Sequence, residues 1–483
     1  MEYRSILFAN ERKTSEADEP FMSDGAMSDL GLDMILEEML RGREGEAELR
    51  QWFRCPLPDI DAVRYRSSVM EDIDGRLTLE AAEKFVLRVR RLTECLNFGE
   101  ACSGSVQSCK WRLDAAVEYC KAVSEMKEAI NVAGLRSDGL TRCSEWLSAC
   151  AMSKPFIRLR DDAFELDRTF CDMKYSLIAS DGLFYIYAGS DEADYCAELR
   201  RTFDRDGESE GSLQAIVGLR TPGLEEEILR LLRKRHPAAF AALESFCNIH
   251  SSFVDPAVLT LASELTFYIA CLRYFRAIRK RGLYYCYPAI TEKKELRVEA
   301  GYDLKVIAAT TNLPIGNGID WHAEAAVVVP AFPERPDSFG RTVGQIIALS
   351  ALGCPVPARS AVVPHVDRLY THFPKADRPE RNEGKLKEEL ARLRPIVAEA
   401  DHGSMVVLNE TFSTTSTCDA VAMGRKLLDL LTARGAMCLF VTHLPGFAPE
   451  DCDAGRKRVE EEVERYGLTK ERLRSRLKER LHG

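Results

Sequence analysis

Two patterns of apolar and polar residues divide the chain. Over residues 30–281 apolar positions recur every three or four residues with few breakers, as in "LTLEAAEKFVLRVRRLTECL" and "DAAVEYCKAVSEMKEAINVAGL". That spacing predicts amphipathic helices whose apolar stripes face a shared core. "LFYIYAG" (residues 183–189) interrupts the pattern as a strand, and "SDEADYCAELRRTF" restores the helical period. "LTLASELTFYIACLRYFRAIRKRGL" predicts one long helix stopped at Gly282, since glycine takes the left-handed conformation of a helix end without penalty. From residue 283 the period changes at "YYCYPAI". "AAVVVPAF" predicts a strand, "RTVGQIIALSALG" and "KLKEELARLRPIVAEA" predict helices, and short strands follow over residues 406–408 and 439–441. Alternation of this kind predicts a largely parallel α/β sheet. "FPKADRPERNEG" (residues 373–384) reads as a mobile loop, and residues 456–481 as a highly charged helix or helix pair. The expected fold class is α + α/β. The expected segments are an N-terminal extension (1–48), a helical region (49–282), an α/β domain (283–455) and a charged helical tail (456–483).

Composition narrows the function classes. A length of 483 residues suggests roughly three domains, and 46% apolar with 29% charged residues is the balance of a water-soluble chain. No apolar run is expected to span a bilayer, and the charged opening "MEYRSILFANERKTSEADEP" is not expected to act as a signal peptide. Sixteen cysteines without paired CxxC spacing read as thiols kept reduced in the cytoplasm. Cys247 and His250 form a lone pair with no second half, which argues against zinc. The net charge of −10 gives no general attraction to nucleic acid or anionic membranes, so any DNA contact needs a local basic patch. Arg273, Arg276, Arg279, Lys280 and Arg281 make one such stripe. A helix C-terminus favours cations in any case, so a plain solvated face explains the stripe at least as well.

The strand at residues 406–408 ends on Asn409-Glu410, and the strand at residues 439–441 ends on Thr442-His443. Nucleotide hydrolysis needs a metal-binding acid at the end of a buried strand and a neighbouring carboxylate that orients the attacking water. Glu410 is placed to be that carboxylate. Asn409 stands where aspartate is usual; its amide oxygen can hold a magnesium-bound water without supplying charge. His443 is placed to sense a γ-phosphate.

"NETFSTTSTCDAVAMGRKLLDLLTARGAMCLFVTH" resembles the ATPase core of the MutS family of DNA mismatch-repair proteins, in which an acidic pair, a Ser/Thr-rich turn, a helix and a strand ending in Thr-His recur. "LGCPVPARSAVVPHVDRLYTHF" is similar to that family's Val-Pro-Ala segment and following strand. "NEGKLKEELARL" resembles the start of its signature helix, and "LRQWFRCPLPDIDAVRYRSSVMEDI" the opening of its lever region. The similarity runs over residues 49–449, and Asn409 resembles a bacterial MutS-like subgroup more than the housekeeping repair protein. The resemblance implies a helical core and lever region followed by an ABC-type, P-loop-like ATPase domain. It implies a homodimer acting on double-stranded DNA, mismatched or branched, with ATP and Mg2+ held between subunits, no membrane, and no separate mismatch-reading domain. It places catalysis on Glu410 and His443, magnesium on Asn409, and nucleotide contacts at Asn409, Ser338, Phe339, Gly384, Lys385 and Leu386. Phe98-Gly99-Glu100 matches the Phe-x-Glu pattern of mismatch reading, but its setting after a helix in the lever-like region points to chance.

The phosphate loop breaks this agreement. No G-x-x-x-x-G-K-[ST] occurs in the chain. Counting back from Cys354-Pro355-Val356-Pro357, the loop glycines become Pro330, Glu334 and Arg335, the lysine becomes Pro336, and the Ser/Thr becomes Asp337. Proline has no N–H to offer a phosphate, the carboxylates repel it, and the lost glycines remove an anion nest. Reading Gly340-Arg341-Thr342 as a remnant of the loop leaves the helix before Val356 more than a turn too short. Two functions follow as expectations: a MutS-like DNA-binding protein of ATPase fold in DNA repair or DNA-structure processing, or a pseudo-ATPase serving as a dimerisation or DNA-binding scaffold. A helical interaction protein with no nucleic-acid role is the third.

Overall fold

The structure, a computed structural model of the chain, describes residues 2–9, 21–42, 46–54, 57, 59–102, 106–173, 175–180, 183–188, 232–309, 316–322, 325–330, 338–374, 385–412, 416–444 and 447. Residues 1–12 and 68–269 form one compact unit; residues 13–67 and 270–483 form the other. The charged tail at 456–483 and the segment at 190–203 lie outside the described residues.

The first unit is helical. Its helices are α5 (Arg76–Ala101), α6 (Val106–Val132), α7 (Asp138–Ala151), α8 (Lys154–Cys171) and α9 (Pro237–Ile249), with the first half of α10 (Pro256–Lys280). α6 buries Leu113, Val117, Cys120, Val123, Met126 and Ile130 at helical spacing, which is why its neighbours gather around it. α7 starts where the Ser137 hydroxyl accepts the Leu140 N–H at 3.4 Å, and Asp72 takes the Ser137 N–H at 2.7 Å. α8 starts on a Ser153 cap. The expected strand at 183–189 is β2 (Leu183–Ala188), paired antiparallel with β1 (Tyr175–Ser180), a partner the apolar pattern did not reveal. The chain's first residues dock on α10. The Glu264 carboxylate accepts the Tyr3 hydroxyl at 2.7 Å, the Ser5 hydroxyl at 2.6 Å and the Ile6 N–H at 2.9 Å.

Several expectations change here. The helix α10 is long and apolar enough to cross a bilayer by length and composition, so the sequence does hold one such run. However, 72% of its most apolar window is buried within the protein, the mark of a core helix. Phe98 lies in the last turn of α5, with its ring 5.3 Å from Trp111. His250 meets Asp162 at 2.8 Å, and no group of three metal-ligating residues occurs among the described residues. In the basic stripe, the Arg279 guanidinium lies 3.9 Å over the Tyr285 ring, and Arg281 donates to the Ile307 carbonyl at 3.0 Å. Both groups are already engaged within the second unit.

The second unit carries two four-stranded sheets. One is mixed, in the order β3 (Ala289–Thr291), β7 (Ser360–Pro364), β4 (Glu295–Gly301), β5 (Asn317–His322). The sequence reading expected a single sheet. The other is the expected parallel sheet, in the order β6 (Ala326–Pro330), β10 (Met437–Thr442), β9 (Ser404–Asn409), β8 (Arg368–His372). Every residue of β9 and β10 is buried, as the uninterrupted apolar runs require. The remaining helices are α1 (Asp24–Leu30), α2 (Leu32–Leu40), α3 (Glu46–Arg54), α4 (Ile60–Ile73), α11 (Leu304–Ala309), α12 (Ser338–Ala351), α13 (Lys385–Glu399) and α14 (Thr417–Ala433). Gly282, with φ 86°, ends α10 as expected. Met27, Leu32, Ile35, Met39 and Phe53 of the first three helices meet Ala348 and Leu349 of α12 along an apolar seam. Arg66 of α4, fully buried, donates to the Leu352 carbonyl at 3.3 Å behind α12.

Candidate functional site

All four strands of the parallel sheet run the same way, so their carboxyl ends share one edge. Register places Thr442 opposite Pro330, Val441 opposite Asn409, and Leu408 opposite His372. Ligands of open α/β sheets gather outside this edge.

Asn409 closes β9 and is fully buried. The first turn of α12 lies directly over it: a Cβ on Gly340 would sit 3.1 Å from Asn409 Oδ1 and 3.4 Å from the Phe373 ring. Glycine at 340 lets helix and strand approach this closely. The chain then turns sharply, with left-handed backbone at Glu410 (φ 48°) and Phe412 (φ 67°). The Glu410 N–H donates to the Val441 carbonyl at 2.8 Å. Its side chain is 8% exposed and its Oε2 contacts His443 Nδ1; the His443 ring is 61% exposed. The pair therefore joins a buried carboxylate to an imidazole in water, an arrangement able to pass a proton between the sheet edge and solvent. Beside it the buried His372 Nδ1 lies 3.0 Å from Thr411 Oγ1.

On the α12 side, Ser338 begins the helix, its carbonyl accepting the Thr342 hydroxyl at 2.8 Å, and Phe339 is buried. Arg341 Nε donates to Asp303 Oδ2 at 2.8 Å, with the two side chains 14% and 0% exposed. The Gln345 amide donates to the other Asp303 oxygen at 3.0 Å and to the Leu30 carbonyl at 2.8 Å. Arg341 is thus bound to a buried carboxylate. Residues 331–337, the heart of the phosphate-loop address, lie outside the described residues, as does Gly384. Lys385 is the first residue of α13, and Leu386 packs in part against the sheet's core.

Three groups around the ends of β8 and β9 gave no signal in the sequence. Burial is the main cause pushing the Glu389 carboxyl on α13 above the ordinary range, with Arg392 and the Phe412 backbone acting against it. Arg392 donates to the Phe373 carbonyl at 2.8 Å and reaches Asp29 of α1 at 3.4 Å. Asp29 in turn accepts the Thr371 hydroxyl at 2.8 Å. These contacts join positions up to 363 residues apart, so no local motif carries them.

The described residues do not fit a tight Mg2+–ATP site. Asn409 is a neutral, wholly buried amide where a charged metal ligand is needed, and the one cation on the first turn of α12 is held by Asp303. What the arrangement holds is a buried Glu410 carboxylate in contact with an exposed imidazole at the sheet edge.

Comparison with known proteins bears on what built this edge. The family described as MutS domain V matches residues 337–459. The DNA mismatch repair protein MutS of Granulibacter bethesdensis is 32% identical over 44% of this chain and 23% of its own length. MutS of Pelotomaculum thermopropionicum is 24% identical over 91% of this chain and 54% of its own. The human DNA mismatch repair protein Msh3 is 25% identical over 49% of this chain and 21% of its own. The chain spans about half, or less, of the length of these relatives. The matched segment begins at the foot of α12 and takes in β8, α13, β9, α14 and β10, and the similarity to one DNA mismatch repair protein MutS extends over nearly the whole chain.

Proposed function

We propose that this protein acts on DNA, in repair or in the processing of DNA structures, as a homodimeric MutS-like scaffold whose ATPase-fold unit does not hold ATP tightly. The observation that carries this reading is the fully buried Asn409 beneath Gly340, next to an α12 whose arginine is spent on Asp303. A polyphosphate at this edge would meet neither a charged metal ligand nor a cation from the helix. The residues counted onto the phosphate loop, Glu334, Pro336 and Asp337, oppose binding further. The DNA partner follows from the relatives, which are DNA mismatch repair proteins by name.

An active ATPase is the second reading, and the Glu410–His443 contact favours it. Labelled-ATP binding with and without magnesium separates the two. Absence of binding at millimolar ATP supports the scaffold. Micromolar binding that Glu410→Gln leaves intact, while turnover is lost, overturns it. DNA retention that weakens steeply with salt is expected under both readings; salt-independent or absent retention removes the DNA role. Sedimentation is expected to show a dimer.

A further inference from the structure

Two cysteines of the first unit, 138 positions apart, meet where α9 ends against α6. The Cys247 thiol, in the last turn of α9, donates to the carbonyl of Cys109, in the first turn of α6, at 3.6 Å. A carbonyl and a side chain branch from the same Cα, so a sulfur touching the Cys109 carbonyl stands within a rotamer change of the Cys109 sulfur. Both residues are half-buried, and neither is sealed in the core. Arg112, one turn further along α6, closes the cluster. Its Nη2 donates to the Ser251 carbonyl at 2.6 Å and to the His250 carbonyl at 3.3 Å, just past the end of α9. Its Nε is buried with no hydrogen-bond acceptor among the described residues. A buried N–H without an acceptor is unfavourable, and a thiolate on the neighbouring Cys247 supplies one. Burial first, and the nearby Cys109 second, push the Cys247 thiol up to about 12, with Arg112 acting against them. Cys247 therefore rests as a thiol beside a waiting cation.

We propose that Cys109 and Cys247 are a redox modification site: peroxide joins them in a reversible disulfide that ties the first turn of α6 to the last turn of α9. Peroxide takes Cys109 first, because Cys247 carries little thiolate. The Cys109 thiolate sulfur attacks one peroxide oxygen, the O–O bond breaks, and hydroxide leaves, so that Cys109 becomes a sulfenic acid. Cys247 then loses its proton, and its thiolate accepts the Arg112 Nε–H. That thiolate attacks the Cys109 sulfur, the S–O bond breaks, and the second hydroxide leaves. With the two thiol protons, both hydroxides depart as water: two thiols are oxidised and one peroxide is reduced. A dithiol reductant reverses the bond by thiol–disulfide exchange.

The test treats the folded full chain with hydrogen peroxide, blocks the remaining thiols with N-ethylmaleimide, and maps the peptides without reductant. Wild type is expected to yield one peptide pair joined through Cys109 and Cys247, separated again by dithiothreitol. The joined form is expected to raise the urea midpoint of the first unit by about 1 M, as the closing of a long loop does. Cys247→Ser is expected to stop at the Cys109 sulfenic acid, trapped with dimedone, and Cys109→Ser to leave Cys247 unoxidised. Arg112→Met is expected to slow closure about tenfold while the sulfenic acid still forms. The proposal is overturned if both cysteines are recovered as maleimide adducts after peroxide, or if the pair joins only once the chain is unfolded in urea. It is equally overturned if Cys109→Ser leaves the oxidation of Cys247 unchanged. Should a serine variant not fold, the wild-type peptide map decides alone.

Discussion

Arg341 decides between a phosphate ligand and a structural cation, and its removal separates the two. In the Arg341–Asp303 pair the carboxylate is fully buried, the guanidinium is 14% exposed, and the two are linked at 2.8 Å. Removing one member of such a pair strands the other as an uncompensated charge. Arg341→Met leaves Asp303 with only the Gln345 amide and the Lys305 N–H on its Oδ1. Those two neutral donors offset part of the loss, which places the expected destabilisation near about 3 kcal/mol, the low end for a broken buried ion pair. Asp303→Asn keeps the shape and removes the charge, and the slightly exposed guanidinium can reach water, so about 2 kcal/mol is expected. The double variant removes both charges together and is expected to recover at least about 2 kcal/mol relative to additivity. Pulse proteolysis in urea reads this. With a slope of about 1–3 kcal/mol per molar, Arg341→Met lowers the unfolding midpoint of this unit by about 1 M or more. A shift below about 0.3 M, or an additive double variant, refutes the structural role. Loss of ATP binding with stability intact would instead reinstate Arg341 as a phosphate ligand.

Two further outcomes are expected. Burial is the main cause raising the Glu264 carboxyl above its ordinary value of 4.5, so its stabilising contribution is complete below that value and is lost as pH rises through the raised one; Glu264→Gln should flatten this decline in the first unit's stability, and an unchanged pH profile refutes the assignment. A Cβ at Gly344 would sit 2.3 Å from Leu30 Cδ2, so in Gly344→Ala the overpacking cost of about 1–3 kcal/mol should outweigh the helix-propensity gain of about 1 kcal/mol; a stabilised variant in urea denaturation refutes the close packing.

What the sequence revealed depended on range. β9 and β10 are buried on both faces, so their code is a short apolar run, and both were legible, as were α12 and α13 from their helical period. β4 and β5 were not. The segment "ELRVEAG" alternates charge with apolar residues on a half-exposed sheet, and "NGIDWH" has too few apolar positions to show a period. β1, "YSLIAS", was missed beside its partner because its apolar positions are too few to show a period. The strand-end edge was legible in part: Glu410 and His443 each follow a readable strand, and parallel pairing brings them together. Their supports were not. Asp29, His372 and Arg392 are ordinary residues in ordinary local settings, and only the folded chain gathers them around the end of β8.

The first helices of the second unit have a consequence for how this protein is made. Leu30 awaits Gln345, and Asp29 awaits Thr371, 315 and 342 residues away. At ribosomal speeds of about 5–20 residues per second, the nascent segment spends roughly 15 to 60 s without its partners. During that time Met27, Leu30, Ile35, Leu36 and Met39 have no α12 to cover them. Those apolar side chains therefore stay uncovered until the residues of α12 have been made.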